Sequence, residues 1–174
     1  KLEVDTIYTN NDFLLDDSLN ITVLRKNDQF ECGQMDFKVL NNYSKAYSEN
    51  NNSMVLHMEI KNENWLFTGD IEAVVEEKLL GAYDLNIDHL KVAHHGSITS
   101  STQRFIEKTN PRFAYISVGK NSYDHPNNQV LTRFVKQGTQ LYTTMDQGTI
   151  EVMYSFNFVY KRFFYNGRFY YDIF

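Results

Sequence analysis

The stretch from Trp65 to Ser101 constrains the fold of this chain more than any other part of it. An apolar run, Trp65-Leu66-Phe67, ends in Thr68-Gly69-Asp70 (T-G-D) and is followed by a helical pattern. A second apolar run, Leu90 to Ala93, ends in His94-His95-Gly96-Ser97 (H-H-G-S). Both patterns predict a buried strand with polar residues at its end, where α/β enzymes place reactive groups.

Two interpretations of Asp70 are open. Asp is a favoured N-cap residue, and its charge suits the start of the helix predicted over Ile71–Leu80, which Gly81 would close. Alternatively, an Asp oxygen and a neutral His nitrogen are ordinary ligands for zinc or manganese. The helical spacing puts one set of residues inside and another outside: Ile71, Val74, Val75, Leu79 and Leu80 against Glu72, Glu76, Glu77 and Lys78.

Strand geometry separates the two adjacent histidines. Successive side chains of a strand point to opposite faces, so only one of His94 and His95 enters a given pocket. Ala93 shares the face of His95 and leaves room there, and Gly96 lets the backbone approach closely. We therefore predict His95 as the metal ligand and His94 as a neighbour that packs against the core and orients it.

A third strand, predicted over Phe113–Val118, also ends in polar residues, beginning with Gly119-Lys120-Asn121. Together these segments resemble the metallo-β-lactamase-fold domain of the ComEC-type DNA-uptake competence proteins. The resemblance runs from about Asn51 to Gly148 and rests on four segments in order: Asn52-Ser53-Met54-Val55-Leu56 into Leu66-Phe67-Thr68-Gly69-Asp70; Leu90-Lys91-Val92-Ala93-His94-His95-Gly96-Ser97 with Thr99-Ser100-Ser101; Ile116-Ser117-Val118-Gly119-Lys120-Asn121; and His125-Pro126.

The resemblance implies a four-layer αββα metallo-β-lactamase fold of the α/β class, represented here by its C-terminal part. It implies a two-metal site with zinc or manganese, at which a metal-bridging hydroxide attacks a phosphodiester. The site residues that it implies are Asp70, His95 and His94 for the metal, Asp70, His95 and His125 for catalysis, and Ser97, Lys120, Asn121 and His125 for the substrate.

The chain departs from the family in one respect. The family's His-rich H-x-[HD]-x-D-H motif is absent, and the five histidines are His57, His89, His94, His95 and His125. We expect the chain to be a C-terminal piece of a larger parent, for which a membrane-embedded protein is a candidate. The N-terminal remainder of that parent would be its partner, and we expect the isolated chain to be inactive. The alternative is a degenerate homologue that has lost its metal and serves as a binding or scaffold module.

Composition limits the substrate and leaves the compartment open. The net charge of -5 argues against a broad nucleic-acid-coating surface. DNA reached through metal ions remains the implied substrate, with a small phosphodiester as the alternative. The single cysteine, Cys32, excludes an intrachain disulfide. A ComEC-like parent would place the chain at the bacterial cell surface or membrane, and otherwise the cytoplasm is expected.

Periodicity and turn residues predict the remaining elements. His57 is assigned to a polar surface, His89 to a structural role, and Asp16 and Asp17 to solvated charge. The predicted strands and helices are Val4–Tyr8, Ile21–Leu24, Phe37–Leu40, a hairpin of strands before and including Trp65, helix Gln103–Thr109 capped by Ser100-Ser101-Thr102, helix Asn128–Gln137 ended by Gly138, strand Leu141–Thr143 and a turn at Asp146–Gly148.

Aromatic residues dominate the C-terminus, where 11 of the 21 residues from Tyr154 to Phe174 are Phe or Tyr. Asn166-Gly167 predicts a hairpin of strands Phe156–Tyr165 and Arg168–Ile173. We therefore divide the chain into a metallo-β-lactamase-like domain, 1–153, and an aromatic hairpin extension, 154–174. Lys161, Arg162 and Arg168 between aromatics are compatible with single-stranded nucleic acid, and a half-buried edge hairpin is the alternative.

Overall fold

A computed structural model describes residues 4–11, 20–155, 159–165 and 167–173, with the backbone alone at Tyr165 and Ile173. The predicted Asp16 and Asp17, the strand start at 156–158 and Asn166 lie outside these residues. The described strands are β1 Ile7–Thr9, β2 Ile21–Val23, β3 Gln29–Cys32, β4 Met35–Val39, β5 Leu56–Ile60, β6 Glu63–Phe67, β7 His89–Lys91, β8 Phe113–Ile116, β9 Gln140–Thr143, β10 Thr149–Tyr154, β11 Val159–Tyr165 and β12 Arg168–Ile173.

A seven-stranded sheet forms the centre of the molecule. Its strands run in chain order from β3 to β9, antiparallel as far as β6 and parallel from β6 onward. The predicted hairpin joins β5 to β6 through Lys61 and Asn62, which both have positive φ, as tight hairpin turns require. The sheet therefore brings the carboxyl ends of β6, β7 and β8 to one edge.

Helices connect the parallel strands and pack on one face of the sheet. They are α1 Ala73–Ala82, α2 Gln103–Thr109 and α3 Asn128–Gln137, with a short α4, Thr144–Gln147, in place of the predicted turn. Alternation along the strands gives the sheet two apolar faces. Leu66, Leu90 and Ala114 meet the helices, whereas Trp65 and Tyr115 meet the opposite layer.

The opposite layer is a three-stranded antiparallel sheet, β10-β11-β12. Helices, main sheet and this sheet form three layers within the described residues, and the predicted metallo-β-lactamase-like α/β class is confirmed. The aromatic hairpin is also confirmed as β11 and β12. Because β10 pairs with β11, this sheet runs across the predicted boundary between residues 153 and 154, and the domain division stays a prediction. No helix in the described residues is long and apolar enough to cross a membrane.

The boundaries and faces predicted for α1 were partly wrong. The helix begins at Ala73 because Ile71 still takes part in the turn, where its carbonyl accepts the Ser100 hydroxyl at 2.8 Å. Gly81 lies inside the helix instead of closing it. Val74, predicted inside, is 49% exposed, and Glu76, predicted outside, is fully buried.

The helices α2 and α3 have the predicted bounds and terminal residues. Thr102 caps α2 by accepting the Phe105 N–H, and Asn127 caps α3 by accepting the Gln129 N–H. Gly138 ends α3 with φ +81°, a left-handed conformation that glycine adopts without a Cβ penalty. These two helices support the motif loops that precede them.

Candidate functional site

Three polar loops meet at the carboxyl edge of the parallel strands, as the sequence predicted. The Thr68 hydroxyl donates to the Lys91 carbonyl at 2.6 Å, which joins the ends of β6 and β7. The backbone N–H of His94 donates to the Gly69 carbonyl at 3.0 Å, and that of Asn127 donates to the Gly96 carbonyl at 2.9 Å. Backbone bonds thus hold the T-G-D, H-H-G-S and His125-Pro126 segments in contact.

Ser53 holds the T-G-D turn by a hydrogen bond. Its hydroxyl accepts the Asp70 N–H at 2.9 Å. Gly69 has φ +55°, and a Cβ there would lie 2.5 Å from the Cβ of Ser53, so the close approach requires glycine. Asp70 does not cap α1, because Glu72 occupies the N-cap position. The capping interpretation of Asp70 was therefore wrong.

A second contact fixes the residue that precedes α1. The Asn51 carboxamide accepts the Glu72 N–H at 2.9 Å and donates to the Glu72 carboxylate at 3.0 Å. Asn51 is buried at 6% exposure. Neither Asn51 nor Ser53 was predicted to have a role, because an Asn- and Ser-rich run has the composition of a loop.

The strand argument for His94 and His95 was wrong, because β7 ends at Lys91 and the histidines lie in a turn. Their φ angles are 47° and 53°, both left-handed. The exposed His95 ring donates from Nδ1 to the Ser117 carbonyl at 2.6 Å. Such a bond commonly orients a metal-binding histidine through its other nitrogen. His95 as ligand stays a prediction, now with a different geometric basis.

His94 and His125 face each other across the edge of the sheet. Their ring centroids are 5.5 Å apart in an edge-on arrangement. The Nδ1 atom of each ring is buried and has no hydrogen-bond partner among the described residues. Gly96 permits this closeness, since a Cβ there would lie 2.7 Å from the Cβ of Pro126. Buried polar atoms without partners are rare, and their presence here suggests a ligand site.

The three other predicted substrate residues differ in their surroundings. Ser97 is buried at 4% exposure, and its hydroxyl lies 3.1 Å from that of Thr99. Lys120 is exposed. The Asn121 carboxamide holds its own loop by donating to the carbonyls of Gly119 and His125 at 2.8 and 2.7 Å. Of these three residues, Lys120 is the one that presents a charge to solvent.

The two remaining histidines lie away from this edge. His89 is fully buried and stacks on Trp65 at 4.1 Å, so the predicted structural role agrees with its position. Its nitrogens are hydrogen-bonded with Tyr115 and Glu63, and burial lowers its pKa to about 4. His57 is half-buried instead of lying on the surface, and burial lowers its pKa.

The donor types at this edge suit a divalent metal, but their number is too small. Within the part of the chain that the structure describes, no three His, Cys, Asp or Glu residues cluster so that they could hold a metal ion. A catalytic zinc usually takes three protein ligands. The described residues by themselves therefore do not form a metal site.

Of the three basic residues of the aromatic hairpin, Arg168 is exposed to solvent, whereas Lys161 and Arg162 are not. Lys161 is fully buried, with Nζ 3.2 Å from the centre of the Phe113 ring. Arg162 forms an ion pair with Glu151. Phe169 and Tyr171 are half-exposed beside them, at 50% and 60%. These positions favour the half-buried hairpin over the nucleic-acid interpretation.

Comparison with known proteins gives several relatives, among them two competence proteins of similar identity to this chain. ComE operon protein 3 of Bacillus subtilis is 33% identical over 142 residues, which cover 80% of this chain and 18% of that protein. Competence protein ComA of Neisseria gonorrhoeae is 34% identical over 110 residues, which cover 62% of this chain and 16% of that protein. The chain thus spans less than a fifth of the length of these relatives. No protein-family model matches the chain.

Among solved structures, CmlA, a diiron β-hydroxylase from Streptomyces venezuelae, matches with a TM-score of 0.51 and 8% sequence identity. The match covers 72% of this chain and 33% of CmlA. At this identity the likeness concerns the fold alone.

Proposed function

Because this chain belongs to the metallo-β-lactamase-like domains of ComEC-type competence proteins, we propose that it is part of a metal-dependent phosphodiesterase or nuclease linked to DNA uptake. The observation that carries the proposal is the pair of buried Nδ1 atoms of His94 and His125, for which the described part of the chain offers no hydrogen-bond partner. They lie at the edge where the T-G-D turn ends, and buried polar atoms without a partner are rare in folded proteins.

Asp70 and one histidine of the adjacent pair are the proposed metal ligands of this chain. The Asp70 carboxylate is half-buried and does not cap α1, and His95 is oriented by the Ser117 carbonyl. The remaining ligands would come from the rest of the competence protein. A bound divalent metal would polarise a phosphoryl oxygen and lower the pKa of a bound water.

Lys120 and His125 are the proposed contacts to the substrate phosphate. The exposed Lys120 ammonium can approach an anion, while His125 faces the His94 ring at the same edge. Asn121 would act by shaping the loop that carries both residues, because its carboxamide spans Gly119 and His125. Ser97 would order the H-H-G-S turn. The net charge of -5 also suits a small phosphodiester, which needs no extended basic track.

A hydrolysis assay tests the proposal. The 174-residue chain and the complete competence protein are compared on bis-p-nitrophenyl phosphate with added Mn²⁺. We expect chelator-sensitive turnover from the complete protein and none from the chain. Robust chelator-sensitive turnover by the chain itself would show that it already holds all the metal ligands it needs. A complete protein that is inactive and metal-free would reject the proposed enzymatic function.

A metal-free binding or scaffold module is the second candidate. It is favoured by the lack, within the described residues, of three donors that could hold a metal. Elemental analysis of the purified complete protein separates the candidates, since the module predicts no bound zinc or manganese and the enzyme predicts about two ions.

A further inference from the structure

Helices that follow the three motif loops converge on one segment, residues 97–102, which we name the serine loop. The helix α1 follows the T-G-D turn, α2 begins directly after the serine loop, and α3 follows the loop of His125. One charged side chain from α1 and one from α3 reach the serine loop from opposite sides. Neither side chain belongs to the proposed metal or substrate residues.

Glu76 of α1 binds the N–H side of the serine loop. Its carboxylate accepts the backbone N–H groups of Ser101 at 2.5 Å and Thr102 at 2.9 Å. The side chain is fully buried, and burial raises its pKa while these hydrogen bonds and Arg133 oppose the shift. A buried carboxylate is costly unless it is hydrogen-bonded, so its presence here indicates a specific role.

Arg133 of α3 binds the carbonyl side of the same loop. Its Nη1 donates to the carbonyls of Ser100 at 3.2 Å and Ser101 at 2.9 Å. Ser101 itself is 1% exposed and has φ +51°, a conformation that a residue with a Cβ keeps only when its surroundings hold it. Glu76 and Arg133 therefore hold one left-handed peptide segment between them.

Backbone bonds connect the serine loop to the histidines. The Ser97 N–H donates to the His94 carbonyl at 2.9 Å, and the Ser100 N–H donates to the Ser97 carbonyl at 3.1 Å. The loop is also attached to the start of α1, where the Ala73 N–H donates to the Thr99 carbonyl at 3.1 Å. A shift of the serine loop is thereby transmitted to His94 and to the turn that holds Asp70.

We propose that Glu76 and Arg133 are positioning residues that hold the three motif loops in one arrangement through the serine loop. They touch neither metal nor substrate, and they keep His94 and His95 aligned with Asp70 and the loop of His125. The consequence for metal binding rests on the function proposed above, whereas the link between the two charges and the histidines stands on the geometry of this chain.

The first experiment measures the histidine rings of the 174-residue chain directly. Imidazole ¹H–¹⁵N spectra are recorded for the wild type, Glu76→Gln and the matched control Glu77→Gln, whose exposed carboxylate pairs with Arg104. Glu76→Gln keeps the shape and replaces one acceptor by a donor, so we expect shifted His94 and His95 signals. His89 signals should stay in place in both variants, and Glu77→Gln should leave all three histidines unchanged.

A second pair of variants covers the case in which Glu76→Gln fails to fold. Arg133→Met removes the donors on the carbonyl side, and Lys136→Met removes an exposed charge from the same helix as its control. We expect Arg133→Met to shift the His94 and His95 signals and Arg133→Lys to restore them partly. Folded Glu76 or Arg133 variants with lower melting temperatures but wild-type His94 and His95 signals would overturn the proposal.

A Mn²⁺ titration of the complete protein extends the test to the site. We expect Glu76→Gln to weaken Mn²⁺ binding by about 10- to 100-fold, as for other residues that orient metal ligands, and Glu77→Gln to leave it unchanged. Wild-type protein that binds no Mn²⁺ would reject the metal-dependent function, and shifted imidazole signals would still support the positioning role. Unchanged Mn²⁺ affinity in Glu76→Gln would reject that role in metal binding.

Discussion

Two regions beside the strands β6, β7 and β8 differ in the hydrogen bonding of their histidines. On the face toward β10–β12 lies an aromatic layer, in which His89 stacks on Trp65 and has both ring nitrogens hydrogen-bonded. At the carboxyl edge, the Nδ1 atoms of His94 and His125 are buried and find no partner in the described ranges of the chain. These histidines differ in how completely their ring nitrogens are hydrogen-bonded, and that difference separates the structural His89 from candidate site residues.

The aromatic layer contains a chain of hydrogen-bonded polar groups inside an apolar stack. The Trp65 Nε1 donates to the Tyr154 hydroxyl at 2.6 Å, and that hydroxyl donates to the Glu63 carboxylate at 2.8 Å. Glu63 also lies 2.9 Å from Nε2 of His89. Hydrogen-bonded networks of this kind rigidify a core. At the carboxyl edge, His94 and His95 instead have left-handed φ angles. Residues with a Cβ keep this conformation only where the surrounding structure holds them in it.

The largest expected effect is that of Asp70→Ala on the activity of the complete protein. Removing a metal ligand should reduce turnover by more than about 100-fold, beyond the range known for residues that only orient ligands. The melting temperature should change little, because Glu72 and not Asp70 occupies the N-cap of α1. Turnover and melting are measured on the same preparation. Retained turnover would remove Asp70 from the metal site and weaken the contrast between the two regions.

His89→Ala should show the opposite pattern. Loss of the stack and of both hydrogen bonds, to Tyr115 and to Glu63, should cost about 3 kcal/mol of unfolding free energy. Activity per folded molecule should be unchanged, as urea denaturation combined with an assay on the folded fraction would show. A comparable loss of stability in His94→Ala would erase the distinction between the regions.

The buried His89 should make the stability of the protein sensitive to acid. Burial lowers the pKa of His89 to about 4 in the folded state, below its usual value of 6.5. As the pH falls, His89 therefore binds a proton in the unfolded chain before it does so in the folded chain. The contribution of His89 to the free energy of unfolding is thus complete above pH 6.5 and declines as the pH falls from 6.5 towards 4. The decline should be shallower in His89→Phe, measured by urea denaturation at about pH 7 and about pH 5.

Lys161→Met should stabilise the protein near pH 6. Burial among Phe113 and Tyr142 lowers the pKa of Lys161 to about 7, although Asp172 opposes the shift. Below pH 7 both states carry the charge and the folded state bears its desolvation cost. The free energy of unfolding of the wild type should rise between pH 7 and 10.5, because in this range only the unfolded chain keeps the proton of Lys161.

Replacing the buried charge of Lys161 by an apolar side chain of similar length should give a gain of about 2 kcal/mol at about pH 6. The gain should shrink as the pH rises above about 7, and denaturation curves at about pH 6 and about pH 9 measure both values. A variant that is less stable than wild type at the lower pH would show that the ring contacts outweigh desolvation.

Ser53→Ala is expected to have the smallest effect. The Asp70 N–H loses its acceptor at 2.9 Å, which should cost about 1 kcal/mol, and the T-G-D turn should loosen. Turnover of the complete protein should fall by less than in Asp70→Ala. Ser48→Ala, whose hydroxyl is hydrogen-bonded within the neighbouring loop, serves as the control for general loop loosening.

The sequence by itself determined most strands and helices in their order, but not β3, β10 or α4, and it determined the placement of polar loops at strand ends. Apolar runs bounded by Gly, Asn and Pro are local signals, and the caps Thr102 and Asn127 follow from the same local chemistry. For this reason α2 and α3 were predicted with their observed bounds. The apolar runs also predicted the three strand ends that carry polar loops, whereas the contacts between these loops are tertiary.

Tertiary structure alone decided which polar groups are satisfied. Glu76 was assigned to solvent by helical spacing, yet it is buried because N–H groups 25 and 26 residues away compensate its charge. His94 and His95 do not alternate as in a strand, because β7 ends at Lys91 and both lie in the turn that follows, where the His94 N–H donates to the Gly69 carbonyl. Such bonds join residues far apart in the chain, so no local pattern encodes them, and they determine which side chains stay free to act.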